Sequence, residues 1–196
     1  MRTIAIKDQI TLTYPGLSGY LANLTTIQPL HPKDISVLGA ISKIVVGQKL
    51  SRKAASTIIN KAETLAAQEG KNEIALLSEK EIQSCGISSS KAKAIKLFAE
   101  QYFNDVNRYE NWRNLESARL FAEVNNHWGL SHWSASMLAI FYFGFEDVYP
   151  LNDGSIKRIT GLLEQKGITV EPEKAAPYRS YLALYLWEML DRKMVD

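Results

Sequence analysis

The chain has one cysteine, Cys85, among 196 residues. It therefore holds no internal disulfide, no four-thiolate iron–sulfur cluster and no Cys-rich zinc site. That usage fits a reducing, intracellular compartment. Long apolar runs are missing as well. No stretch of eighteen apolar residues exists, so no transmembrane helix is expected. The opening residues MRTIAIKDQI carry an early acid and no long apolar core, which argues against a secretory signal. Histidine is scarce, and His31, His127 and His132 show no metal-ligand spacing. There is no G-x-x-x-x-G-K-[ST] loop and no H-x-E with P-C-x-x-C, which removes P-loop nucleotide binding and zinc deamination. A strong charge of one sign is also lacking. The net charge is +2 and the pI about 8.5, so any polyanion partner must be met by a local basic face.

What is present is an ordinary stock for a folded core. Hydrophobic residues make up 46% and charged residues 22%, enough for one domain or two small lobes sharing a core. Four tryptophans can furnish both a core and a stacking site. No internal repeat or low-complexity segment occurs.

Residues 1–30 are the hardest to read. Thr3–Lys7 and Ile10–Tyr14 are rich in β-branched residues with partial alternation, which predicts short strands or an extended arm. His31-Pro32-Lys33-Asp34 reads as a helix start, followed by the apolar stripe Val37, Ile41, Ile44 and Val45. Ser51 opens the next helix, with Ala54, Ala55, Ile58, Ile59 and Ala62 along one side. A short helix from Glu79 to Ser84 stops at Cys85-Gly86-Ile87. Ser88 or Ser90 then caps a helix whose Lys91, Lys93 and Lys96 read as a solvated face. Leu115 to Val124 forms the first helix of a hairpin pair.

The stretch Trp128 to Asp153 organises the rest. Gly129 can take positive φ, and Ser131 can cap the helix that follows. Trp133, Met137, Ile140 and Phe141 share one face of that helix. Gly144 ends it. Pro150 biases Tyr149 away from helix, Asn152-Asp153-Gly154 is a turn signal, and Asp153 stands where a helix from Ser155 to Gln165 begins. On the residues alone, Asp153 is an ordinary N-cap, and the hairpin is an ordinary helical hairpin whose second helix offers free N–H groups to an anion.

G-L-S-H-W-S-A, followed by Y-P-L-N-D, resembles the helix-hairpin-helix DNA glycosylases, whose pattern is roughly G-I-G-x-W/K-T-A and then P-x-x-D. Three further stretches are similar to that family. They are Val46-Gly47-Gln48-Lys49-Leu50-Ser51, then Cys85-Gly86-Ile87 with Lys91-Ala92 and Ile95, then Pro177-Tyr178-Arg179-Ser180-Tyr181 with Trp187. The last matches the 3-methyladenine glycosylase II type. The resemblance runs over about residues 35–190.

The resemblance implies an all-α, two-lobed helical core over 31–196, with the hairpin at about 115–143, preceded by an N-terminal arm over 1–30. It makes Asp153 the catalytic carboxylate, in a cleft between the lobes. Trp133, Trp187, Met137, Tyr181 and Tyr185 are expected to line the pocket for the extruded base. Gln48, Lys49, Leu50 and Ser51 are expected to meet DNA, with Lys49 or Leu50 as the wedge that fills the gap left by that base. Gly129, Leu130, Ser131 and His132 are expected to hold a phosphate. No cofactor is implied beyond Na+ or K+ at the hairpin carbonyls.

Bifunctional members carry Lys where this chain has Trp133, so the resemblance implies a monofunctional enzyme of base excision repair. Its partner would be double-stranded DNA with a damaged, alkylated base; no membrane is involved and the protein is expected to be a monomer. A bacterial or archaeal source would place it in the cytoplasm, at the nucleoid; a eukaryotic source would place it in the nucleus. Two alternatives stand beside this reading. One is a glycosylase for deaminated bases. The other is a catalytically silent module that binds distorted or abasic duplex.

Overall fold

The protein is described here by a computed structural model that covers residues 2–195, with side chains from residue 5; the two terminal residues of the expected arm and core lie outside it. The described residues form eleven α-helices and no strand. In chain order these are α1 (Arg2–Thr13), α2 (Ser18–Ala22), α3 (Val37–Gly47), α4 (Arg52–Gln68), α5 (Glu79–Ser84), α6 (Ser89–Asn104), α7 (Val106–Glu110), α8 (Ser117–Asn125), α9 (His132–Phe141), α10 (Gly154–Gln165) and α11 (Arg179–Asp191). The all-α expectation holds. No described helix is long and apolar enough to cross a membrane.

The chain divides into two units. One is continuous, Lys33–Leu138; the other joins Met1–Pro32 to Ala139–Asp196, and the division falls within α9.

In the continuous unit α3 is the central helix. Ser36 caps it by accepting from the Gly39 N–H at 2.8 Å. The start lies at Val37 rather than at His31, because Ser36, not Asp34, supplies the cap. Val37, Leu38, Gly39 and Ala40, four successive residues, are all buried, so α3 is covered on every side rather than along one stripe. Ser51, Ser78 and Ser88 cap α4, α5 and α6 in the same manner. Phe98, Tyr109, Trp112 and His127 then pack ring on ring, with centroids 5.0–5.8 Å apart. This aromatic cluster sits under the start of the hairpin turn.

The discontinuous unit corrects the reading of the N-terminus. Residues 2–13 are helical, not extended. Ile6, Ile10 and Tyr14 recur every four residues and are buried, so tertiary packing overrides the β-branched preference. The segment is bound to the C-terminal part of the chain. Tyr14 donates its hydroxyl to the Glu171 carbonyl at 2.5 Å, and the N–H groups of Ile27 and Leu30 donate to the hydroxyls of Tyr185 and Tyr181. Around this, α10 packs on α11.

Candidate functional site

In the discontinuous unit the site is built on Asp153. The turn Pro150–Asp153 ends in extended backbone, and α10 follows. Oδ1 of Asp153 accepts from the N–H groups of Ser155 and Ile156, both at 2.9 Å, as an N-cap should. A third donor reaches the same oxygen: the indole Nε1–H of Trp187 on α11, at 3.0 Å. Three donors on one oxygen fix the carboxylate in rotation and in position. The residue is only 8% exposed. The Trp187 ring lies at 5.5 Å and 32° from Phe141 at the end of α9, so the indole is held on its face as well as by its N–H.

The Arg179-Ser180-Tyr181 triplet positions the segment that leads to Asp153. Arg179 binds the Asp147 carboxylate through Nε at 2.7 Å and Nη2 at 3.0 Å. That contact holds the Asp147 carboxyl below its ordinary range. Ser180 is fully buried; its hydroxyl donates to the Phe145 carbonyl at 2.7 Å and accepts the Val148 N–H at 3.0 Å. Tyr181 donates to Glu146 at 2.9 Å. Gly144, at φ +72°, lets the chain leave α9 where a Cβ would stand 2.7 Å from the His31 carbonyl carbon. Each of these contacts lies between α9 and Asp153, and all are anchored on α11 or on the segment just before α3.

Two pocket expectations are corrected here. Tyr181 and Tyr185 are each 1% exposed, and their hydroxyls serve the 27–30 segment rather than a surface. They are core residues that hold the N-terminal segment in place. Phe141 is a site residue that the sequence placed only on a helix face. The spacing Trp133, Met137, Phe141 contained the signal, one residue per turn along one stripe.

In the continuous unit the hairpin turn runs between α8 and α9. Leu130 donates its N–H to the His127 carbonyl at 3.1 Å, and the Ser131 N–H reaches the Ser134 hydroxyl at 3.3 Å. Gly129 has φ +79°, and a Cβ there would lie 2.8 Å from the Ala94 Cβ on α6. Glycine is thus required twice over, for its backbone angle and for the close approach of α6. His132 is exposed and packs on Phe121. Trp133 is half-buried and Met137 buried on the next turn of α9.

The loop between α3 and α4 is pinned at two points. Lys91 on α6 donates its ammonium to the carbonyls of Val46 at 2.8 Å and Gln48 at 2.7 Å. Gln48 in turn donates its side-chain amide to the Gly129 carbonyl at 2.8 Å. Gln48, which the resemblance places at the DNA, is therefore engaged within the protein. Ser51 is occupied as the α4 cap. What the loop presents outward is Lys49, exposed and at φ +56°, and Leu50, 38% exposed. A left-handed non-glycine residue directly after the pinned Gln48 is a strained position held by its surroundings.

No group of His, Cys, Asp and Glu among the described residues is able to hold a metal ion. The hairpin carbonyls are a different donor set. Those of His127 and Gly129 each accept one N–H and keep a second lone pair, which suits a hard monovalent cation.

No family model matches the chain. A curated relative, DNA-3-methyladenine glycosylase 1 of Schizosaccharomyces pombe, is 27% identical over 158 residues, covering 74% of this chain and 69% of the relative. The structure of 3-methyladenine DNA glycosylase Mag1 from the same yeast, in complex with abasic DNA, superposes with a TM-score of 0.83 at 22% identity, over 95% of this chain and 97% of that one. A DNA-3-methyladenine glycosidase from Bacillus halodurans gives a TM-score of 0.72 at 22% identity, over 95% and 89%. These structures share the fold with this chain. With its motifs in their order and a curated relative at 27% identity, the chain is similar to the helix-hairpin-helix DNA glycosylases of the 3-methyladenine glycosylase II type, and it has the fold of these structures.

Proposed function

We propose that the chain is a monofunctional DNA glycosylase that hydrolyses the N-glycosidic bond of alkylated bases, 3-methyladenine-like, in base excision repair. The observation that carries this reading is Asp153, held at Oδ1 by three N–H donors and only 8% exposed. As an alkylated base departs, C1′ of the sugar gains oxocarbenium character. A carboxylate fixed beside it stabilises that charge and orients the attacking water. Because its donors are already in place, it need not reorganise as the charge develops.

The base must first leave the stack, at a cost of a few kcal/mol, which is lower for a damaged base. The exposed Lys49–Leu50 tip of the pinned loop suits a group that fills the vacated space. The first turn of α9 offers N–H groups and the positive end of its dipole to a phosphate, without reading base sequence. A Na+ or K+ ion at the carbonyls of His127 and Gly129 would add positive charge for that phosphate when bound. Trp133 offers no amine at the position where a bifunctional enzyme needs one, so the products are a free base and an intact abasic strand. An alkylated purine is cationic, and Trp133 suits its face by a cation–π gain of about 0.5–2 kcal/mol.

The test is base release from methylated duplex DNA, with and without alkali. The unaltered protein should release base and leave strands that break only after alkali. Asp153→Asn should lower release by on the order of 10² to 10⁴ while duplex binding persists. Breakage without alkali would mean that an amine acts as nucleophile. Binding to abasic duplex without any base release would favour the silent module.

A further inference from the structure

Lys91, Lys93 and Lys96 read as a solvated face of α6 in the sequence. The structure sorts them. Lys91 spends its ammonium on the carbonyls of Val46 and Gln48, and Lys96 spends its own on those of Ala75 and Leu77, at 2.8 and 2.9 Å. Both are half-buried pins. Lys93 is exposed, and its ammonium lies 5.2 Å from the ring centroid of Trp128.

Trp128 is the first residue of the hairpin turn after His127, and it is 50% exposed. A half-exposed tryptophan beside a phosphate-holding turn is a large apolar surface left open to water. The backbone brings it close to Lys93. Gly129, lacking a Cβ, lets the hairpin close on Ala94, with 2.8 Å between the Ala94 Cβ and the place a Gly129 Cβ would take. Residues 93 and 128 are the chain neighbours of that contact, which brings the Lys93 ammonium within reach of the Trp128 ring.

We propose that Lys93 and Trp128 form a second backbone-binding site for duplex DNA, beside the hairpin, in which Lys93 neutralises one phosphate and the Trp128 ring packs on the adjoining deoxyribose. This rests on the reading of the chain as a DNA glycosylase. The site takes the sugar–phosphate backbone, not a base, so it serves lesion-free and damaged duplex alike. The indole ring orders the ammonium before DNA arrives, which lowers the entropy lost on contact.

The experiment measures binding of lesion-free and methylated duplex over a series of salt concentrations, together with base release. Lys93→Ala should weaken both duplexes by the same factor, on the order of 5- to 10-fold at about 0.1 M salt, and reduce the slope of log K against log salt by about 0.9. Lys93→Arg should restore the slope. Trp128→Phe should retain affinity and Trp128→Ala should lose it. In each binding-deficient variant kcat for base release stays unchanged while KM rises. Lys80→Ala, which removes one exposed charge from α5, gives the effect of net charge alone. The proposal is overturned if Lys93→Ala leaves the slope unchanged, or weakens binding no more than Lys80→Ala. It is overturned too if Lys93→Ala lowers kcat. If the unaltered protein binds and releases base normally in those cases, only this site is lost. If the unaltered protein binds no duplex, the glycosylase reading falls with it.

Discussion

Trp187 and Asp153 are joined by a hydrogen bond of 3.0 Å from the indole Nε1–H to Oδ1, the same oxygen that caps α10. The tryptophan thus acts on the carboxylate and not only on whatever stacks near it. Trp187→Phe keeps a ring against Phe141 but removes the donor. A bond from a neutral donor to a charged acceptor contributes about 1.5–3 kcal/mol, so base release should fall about 10- to 100-fold. Single-turnover kinetics checks this. Unaltered kinetics in a folded Trp187→Phe protein would reduce Trp187 to a packing residue.

Lys91 holds the carbonyls of Val46 and Gln48 from one ammonium. Burial, and secondarily the charge of Lys49, lower its pKa from the ordinary lysine value. Lys91→Met removes both bonds and should destabilise the protein by about 1–2 kcal/mol, with part of the loss regained in Lys91→Arg. Denaturant unfolding gives the stability. The loop should also lose its fixed Lys49 conformation, so release of a paired lesion should suffer more than release of a mispaired one. An equal loss on both substrates would show that the loop does not assist extrusion.

Gly129→Ala imposes two penalties that can be separated. The positive φ costs a non-glycine residue roughly 1–2 kcal/mol, and the new Cβ meets Ala94 at 2.8 Å. The steric part should be relieved by Ala94→Gly on α6, while the backbone part should remain. A double-mutant cycle of unfolding free energies measures the difference, and a cycle that closes additively would argue against the contact.

His127 is 7% exposed, and burial pushes its pKa below the ordinary 6.5. Arg108 lowers it further and Glu123 opposes. The folded state therefore binds the proton less readily than the unfolded one. Well above pH 6.5 both states hold a neutral imidazole and His127 adds no pH dependence. Below it the unfolded chain protonates first, so stability declines with falling pH until the lowered native pKa is reached, by at most about 1.4 kcal/mol per pH unit. Melting temperatures between pH 7.5 and 5 should fall less steeply for His127→Phe than for the unaltered chain. Equal slopes would count against the buried imidazole as the cause.

What the sequence made legible was local. The Asp153 cap, the Gly129 turn and the start of α4 at Ser51 each depend on residues within four positions of one another. What it concealed was long-range. Trp187 and Asp153 are 34 residues apart, and Lys91 lies 43 residues from Gln48; no local pattern announces either bond. The same distance effect explains the two tyrosines. The resemblance places Tyr181 and Tyr185 in the pocket, and only the return of residues 27–30 shows which way their hydroxyls are used. Residues 2–13 are hidden from the sequence for a different reason. Their β-branched side chains favour strand locally, and the stripe Ile6, Ile10 and Tyr14 needed α11 as a partner before its spacing decided the outcome.

The unit that contains Asp153 is written in two instalments, residues 1–32 and 139–196, with the whole of Lys33–Leu138 between them. At the pace of synthesis, roughly 5–20 residues per second, α1 leaves the ribosome on the order of ten seconds before α11 exists to receive it. The intervening unit has all its own partners by then and is free to fold first. A nascent chain would therefore acquire its hairpin while Asp153 still lacked the Trp187 donor, so an unfinished molecule would have its proposed grip on DNA before its chemistry.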